Sequence, residues 1–399
     1  MSQQIKFARH TNMSGKTCLV RVDFNVPFQD GRISDDTRIQ RILPGLKRLM
    51  AEGARLVLLS HLGRPKGEVK PELSLAPIAA YLHEALGIDV PLIADVLSDE
   101  AESQINAMAD GALCVAENIR FYKGEEANDA DFAKSLARLG DVFIADAFSA
   151  AHRAHASTEA ITAYLPSYAG DALADELTAL EQALQAPKRP VVAVVGGAKV
   201  STKLAVLENL IEKTDAIILG GGMANSFLGA QGVDMKASLS EPDLFETASR
   251  IMAKAKAANC QLILPTDGLA ATKFEAHADH AVKDNDALVD GEMVLDVGPA
   301  SIAAATDAIA GAATILWNGP MGAFEIAPFD QATVAVAQAV AERTQAGQLI
   351  SVAGGGDTVA ALNVAGVADK FTYLSLAGGA FLEWLEGKTL PGIAALARS

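Results

Sequence analysis

Cysteine is scarce in this chain: three residues, Cys18, Cys114 and Cys260, stand far apart and form no CxxC pair. A sparse, odd set points to a reducing compartment and to buried structural thiols. Aromatic residues make up only 5% of the sequence, and the two tryptophans, Trp317 and Trp384, lie in apolar runs as core residues do. No run of about 18 apolar residues exists to form a membrane-spanning helix. The opening MSQQIKFARH lacks the apolar stretch of a signal peptide, so a cytoplasmic protein is expected. Positive charge is short as well, with 33 Lys+Arg against 49 Asp+Glu and a net charge of −16. Such a chain is a poor generic binder of nucleic acid or anionic membrane. It can still bind anionic small molecules, because local groups make those sites. There is no low-complexity segment and no short-period repeat.

Half of the 399 residues are hydrophobic, enough for a large core. At roughly 100–200 residues per domain, the length argues for two domains. Short runs rich in Val, Ile and Leu alternate with helical Ala/Leu/Glu stretches. This rhythm predicts α/β domains, each a mostly parallel sheet with helices on both faces. Strands are expected within 17–26, 55–61, 112–118 and 141–147, then within 190–197, 215–221, 260–265, 314–319, 348–355 and 372–379. Helices are expected over 129–139 and 173–184. The second ends before Pro187 and Pro190, which places the domain boundary between 186 and 187.

The charges on the two halves balance, but the cations do not. Residues 1–186 and 187–399 each carry −8, yet eleven of fifteen arginines and five of seven histidines fall in the first. In open α/β sheets ligands sit at the carboxyl ends of the strands. There the first half presents Asp23-Phe24-Asn25, His61-Leu62-Gly63-Arg64, Arg120, and His152-Arg153 with His155, while Arg38 follows a turn at Gln29-Asp30-Gly31. Arginine's donor fork suits a small, multiply anionic ligand.

The second half presents glycine instead, at Gly196-Gly197, Gly220-Gly221-Gly222, Gly319, Gly354-Gly355-Gly356 and Gly378-Gly379. Glycines at helix starts let backbone N–H groups approach phosphate. Asp357 with Thr358 follows its glycines as a hard oxygen ligand for Mg²⁺ would. Lys199 and Lys203, four apart, are expected on one helix face. A cation-lined half and a nucleotide half suit phosphoryl transfer between two substrates.

Other motifs carry less. Gly15-Lys16-Thr17 ends like a phosphate-binding loop, but position 10 is His and a strand follows. His277 and His280 have ligand spacing without a third ligand, and a solvated face accounts for them better.

Together these residues resemble the phosphoglycerate kinase family along nearly the whole chain. RVDFNVP (21–27), DDTRI (35–39), SHLGRP (60–65), ENIRF (117–121) and AHRAHAS (151–157) carry the likeness in the first half. GGAKVSTK (196–203), GGGMAN (220–225), WNGPMGAFE (317–325), GGGDT (354–358) and GGAFLEWLEGK (378–388) carry it in the second. The resemblance implies two Rossmann-like domains joined by a helix and hinge: 1–186 for phosphoglycerate and 187–388 for nucleotide. It also implies that a tail of about 389–399 returns to the first domain.

It implies Mg²⁺-dependent transfer of the acyl phosphate of 1,3-bisphosphoglycerate to ADP, by a monomer whose domains close. Asp23, Phe24, Asn25, Arg38, His61, Leu62, Gly63, Arg64, Arg120 and Arg153 would then bind phosphoglycerate. Gly197, Lys199, Lys203, Gly221, Asn318, Glu325, Gly355, Gly356, Asp357 and Thr358 would bind nucleotide, with Asp357 at the metal. Arg38, Lys203 and Lys199 would be catalytic. The chain departs from the family at Leu376-Ala377, where Thr-Gly is usual, and at Ser149-Ala150, where Gly-Thr is usual. An anion-binding protein without chemistry would not need Lys203 and Asp357 opposite arginines. A nicotinamide-dependent dehydrogenase would want a GxGxxG turn followed by an acidic residue, which no strand end supplies.

Overall fold

The computed structural model describes residues 5–398, so the outermost ends of the expected first domain and tail, 1–4 and 399, lie outside the described residues. Its chain forms two units. One is the chain up to Thr178 together with the stretch from Thr389 onward; the other is Ala179–Lys388. The division falls inside the helix Asp171–Leu180, which continues as a π-helical turn over Glu181–Gln185. That is upstream of the Pro187 and Pro190 pair.

The first unit is built on six parallel strands in the spatial order Leu92–Ile93, Leu113–Ala116, Arg55–Leu59, Thr17–Arg21, Val142–Ala145 and Ser167–Ala169. Thr17–Arg21 is buried along its whole length, as a strand covered on both faces must be. Successive side chains serve opposite cores: Leu19, Val57 and Phe143 join one cluster, Val20, Leu56 and Leu58 the other. The helix expected over 129–139 spans Ala130–Ala137, and the Asp129 carboxylate caps it by accepting from the Phe132 N–H at 2.8 Å. The C-terminal helix Pro391–Arg398 packs in this unit, where the Gly392 N–H donates to the Ala151 carbonyl at 2.9 Å.

The second unit holds six parallel strands in the order Gln261–Ile263, Ala216–Leu219, Val191–Val195, Thr314–Asn318, Ile350–Gly354 and Tyr373–Ser375. Numbered along the chain this is 3-2-1-4-5-6, whose strand order reverses between Val191–Val195 and Thr314–Asn318. Ligands bind in the crevice at such a reversal. A separate antiparallel sheet, His280–Asp284, Asp267–Ala271 and Met293–Val297, was not anticipated from sequence. His280 lies on its exposed outer strand, its Nδ1 3.0 Å from the Ala278 carbonyl, and meets the Phe329 ring edge-on.

Buried aspartates fasten three helix starts to these sheets. Asp146 accepts from the Leu173 N–H at 2.9 Å, Asp267 from Ser301 at 2.8 Å, and Asp296 from Ala332 at 2.9 Å. Each meets N–H groups that have no partner within the helix. Burial pushes Asp146 up to about 7 and Asp296 up to about 8. In the unfolded chain both titrate near 4. Between about pH 4 and those values the folded state holds more protons, so unfolding free energy falls as pH rises; below about pH 4 the contribution is flat. Urea unfolding across a pH series should show this slope, and Asp146→Asn should make it shallower up to about pH 7, with the Asp296 share remaining. An unchanged slope in Asp146→Asn would remove Asp146 from this role.

Candidate active site

In the first unit the strand-end loops lock onto one another before they can hold anything else. Ser60 Oγ accepts from the Phe24 N–H at 2.9 Å and donates to the Val22 carbonyl at 2.9 Å. Asn25 Oδ1 accepts from the Gly63 N–H at 3.0 Å, and Asn118 Nδ2 donates to the Leu62 carbonyl at 2.8 Å. Arg120 donates to the Gly63 carbonyl at 2.9 Å while its guanidinium faces Glu126 at 3.4 Å. These bonds tie 23–25, 60–64 and 118–120 into one surface. The side chains of Phe24 and Leu62 lie in the core, so each can offer a ligand only backbone. Arg64 and Arg153 are exposed, which suits cations held for an incoming anion.

Arg38 sits at the start of the helix Thr37–Ala51 and pairs with Asp23, at the end of the central strand. The nearer carboxylates are engaged elsewhere: Asp35 caps Thr37 at 2.9 Å, and Asp36 accepts from the Tyr81 hydroxyl at 2.5 Å. Arg38 thus has a carboxylate partner beyond its own helix start. Ser149 donates its hydroxyl to the same Asp23 oxygen at 2.5 Å. That departure from the family pattern thus has a definite job in this chain.

In the second unit backbone meets backbone at the strand reversal. A Cβ on Gly196 would collide with the Pro320 carbonyl, and one on Gly319 (φ +101°) would collide with the Gly196 carbonyl. Close packing, as much as phosphate approach, accounts for these glycines. Asn318 accepts from the Lys203 ammonium and donates to the Gly354 carbonyl at 2.7 Å, while the Gly319 N–H donates to Thr358 Oγ1 at 2.8 Å. Gly355 (φ +104°) packs beneath that asparagine. Burial lowers the Lys203 ammonium from its ordinary range, with Asp357 and Glu386 opposing.

The lysine geometry differs from the expectation. Val200–Thr202 is a 3-10 turn, and the α-helix begins at Leu204 with Lys203 as its cap. Lys199 and Lys203 are thus not partners on one helix face, and Lys199 is exposed.

A cavity of about 490 Å³, within the range of small-ligand sites, opens beside this crevice. Gly197, Gly221, Glu325 and Asp357 line its polar side. Its apolar wall, including Leu239, Phe274, Met293 and Leu295, comes largely from the unanticipated antiparallel sheet and the loops around it. Strand-end reasoning missed that wall, because no motif marks it. For Mg²⁺ the donor set is Asp357, an exposed carboxylate in the first turn of the helix Gly356–Val364. No cluster of three His, Cys, Asp or Glu exists among the described residues. One carboxylate beside a phosphate cradle fits Mg²⁺, which keeps waters and takes its remaining oxygens from substrate phosphates.

Two strand-end sites, one rich in cations and one in glycine and lysine, define a kinase class of α/β phosphotransferase. The family model for phosphoglycerate kinase matches residues 8–388, and the chain belongs to that family. Phosphoglycerate kinase from Sinorhizobium fredii is 57% identical over 383 residues, covering 96% of each chain. That of a Ruegeria species is 56% identical over 385 residues, covering 96% of this chain and 97% of its own. The structure of phosphoglycerate kinase from Coxiella burnetii aligns with a TM-score of 0.93 at 44% identity, covering 99% of both chains. That from Pyrococcus horikoshii gives 0.81 at 28% identity, covering 98% of both.

Gly196→Ala tests the backbone contact. Because both partners are main chain, overpacking here should cost about 3 kcal/mol or more. Chemical denaturation of the purified variant measures it, and a loss below about 0.5 kcal/mol would show that the loops can give.

Proposed function

We propose that the chain transfers the acyl phosphate of 1,3-bisphosphoglycerate to ADP, forming 3-phosphoglycerate and ATP in a reversible step of glycolysis. The observation carrying this reading is the placement of the family's motif residues at the carboxyl ends of both parallel sheets. Asp23, Asn25, His61, Arg64, Arg120 and Arg153 take the phosphoglycerate, with Phe24, Leu62 and Gly63 contributing backbone. Gly197, Gly221, Asn318, Glu325 and Gly355 to Thr358 take the nucleotide, and Asp357 takes Mg²⁺. When bound, Mg²⁺ supplies charge neutralisation at the nucleotide phosphates.

Running toward ATP, the nucleophile is already an anionic oxygen and the leaving group a carboxylate, so no general base is required. The protein's share is to align the groups and offset charge on the transferring phosphoryl. Arg38 and Lys203 provide that charge, assisted by Lys199. Arg38 exchanges its Asp23 partner for substrate, and Lys203 already has its ammonium steered by Asn318. Domain closure, which also excludes water, belongs to the same proposal. Leu376-Ala377 keeps Gly378 and Gly379 at the start of the helix Gly378–Leu385, so the usual hydroxyl is lost while the helix N-terminus remains. No helix among the described residues is long and apolar enough to cross a membrane. We place the enzyme in the cytoplasm, where its three free thiols stay reduced, and as a monomer that binds no nucleic acid or membrane.

A coupled assay with ATP, 3-phosphoglycerate and Mg²⁺ should show ADP formation. Arg38→Ala and Lys203→Ala should each lower kcat by roughly 10³-fold or more, as for other phosphoryl-clamping cations. Absence of ADP formation would sink the reading; a loss below about tenfold would strip that residue of its catalytic role.

A further inference from the structure

Arg21 lies at the end of the central strand Thr17–Arg21, 1% exposed, although arginine is almost never so buried unless paired. Its Nε donates to Ser157 Oγ at 3.0 Å, one terminal nitrogen donates to the Val22 carbonyl, and the other meets His61 Nδ1 at 3.0 Å. Ser157 passes the interaction on. Its hydroxyl donates to Glu125 Oε1 at 2.7 Å and its N–H to Oε2 at 3.0 Å. Glu125 is wholly buried, so one serine hydroxyl bridges a buried cation and a buried carboxylate.

The chain of donors has a single consistent direction. A guanidinium has donors only and stays protonated. The histidine nitrogen it meets must therefore accept, which leaves the ring proton on Nε2. A second proton on His61 would set an N–H donor against the guanidinium. Burial, and then the positive charges of Arg21 and Arg120 with His155 and Arg38, hold His61 well below the usual histidine range. Burial, then Arg120, Arg21, Arg153 and His152, pushes His155 down to about 4, though its Nδ1 lies 3.8 Å from Glu125.

We propose that Arg21, paired with Glu125 through Ser157, is a positioning residue that fixes His61 as the uncharged Nε2–H form. His61 then meets phosphoglycerate as a hydrogen-bond donor, and the site's positive charge is left to its arginines. The inference rests on the reading of His61 as a phosphoglycerate ligand.

Nitrogen NMR of the full-length protein labelled at histidine is the direct test. His61 should show a pyridine-like Nδ1 and a protonated Nε2 throughout about pH 5 to 8, the range in which an ordinary histidine gains its charge. An Nδ1–H form, or an imidazolium signal near neutral pH, would overturn the proposal. Arg21→Met alone would strand the Glu125 charge, so the companion variant is Arg21→Met with Glu125→Gln. In it His61 should average between tautomers. KM for 3-phosphoglycerate should rise about tenfold, the scale of one lost charge-assisted hydrogen bond, while KM for ATP stays within about twofold. A His61 signal unchanged in that variant would show Arg21 to be merely structural. If the tautomer is as expected but 3-phosphoglycerate leaves the His61 signals unmoved, the substrate assignment fails and the tautomer lock stands.

Discussion

The second unit depends on one constraint: its two central strands end in loops whose backbones touch. Gly196 lies against the Pro320 carbonyl and Gly319 against that of Gly196, with no room for a side chain on either. This contact brings the ends of Val191–Val195 and Thr314–Asn318 to one point. Asn318 stands at that point, and it is the residue that reaches both Lys203 and the Gly354 carbonyl. Remove the close approach and the lysine's partner moves with the strand. The same glycines therefore serve stability and site geometry together, and neither role can be varied alone.

The first unit solves the same problem with side chains. Its strand-end loops are tied by Ser60, Asn25 and Asn118, each bonding to main chain of another loop. Uncharged groups do most of the holding, joined by Arg120 at the Gly63 carbonyl, while Arg64 and Arg153 present their charge outward. Arg21 is spent wholly inside. A buried cation of that kind is tolerated only with a satisfied partner set, and Ser157 with Glu125 supplies one.

Sequence legibility followed chemistry that repeats along the chain. The inner strands were readable as continuous apolar runs, and the cations and glycines as whatever followed them, but the short edge strands Leu92–Ile93 and Ser167–Ala169 of the first sheet carry too few residues to show such a run. Arg21 was overlooked because it lay within a strand, yet a charge inside TCLVRV is itself the signal, since such a charge must be paired. Asp296 inside MVLDV carries the same sign. Glu125 gave none: KGEEAN reads as a solvated turn, and only the fold buries it. The antiparallel sheet was hidden for a different reason. DGLAA lacks β-branched residues, and the strand His280–Asp284 is mostly exposed, so neither shows the pattern of a buried strand.

Polar residues near the site also divide by what they can do for charge. Asp146 and Asp296, with carboxyls raised by burial to about 7 and about 8, cap helix starts and are ionised only in part near neutrality. Asp357 and Glu325 are exposed at the cavity and remain available to a cation or a ribose hydroxyl. Ser149 shows that the division extends to uncharged groups. Its hydroxyl meets the Asp23 oxygen that also pairs with Arg38, so it competes for and steadies the carboxylate without adding charge. A glycine there would leave that oxygen without the hydroxyl, while Asp23 Oδ1 would still accept from the Asn25 N–H at 3.0 Å. The chain therefore keeps a polar hold on the arginine's resting partner through the Ser149 hydroxyl.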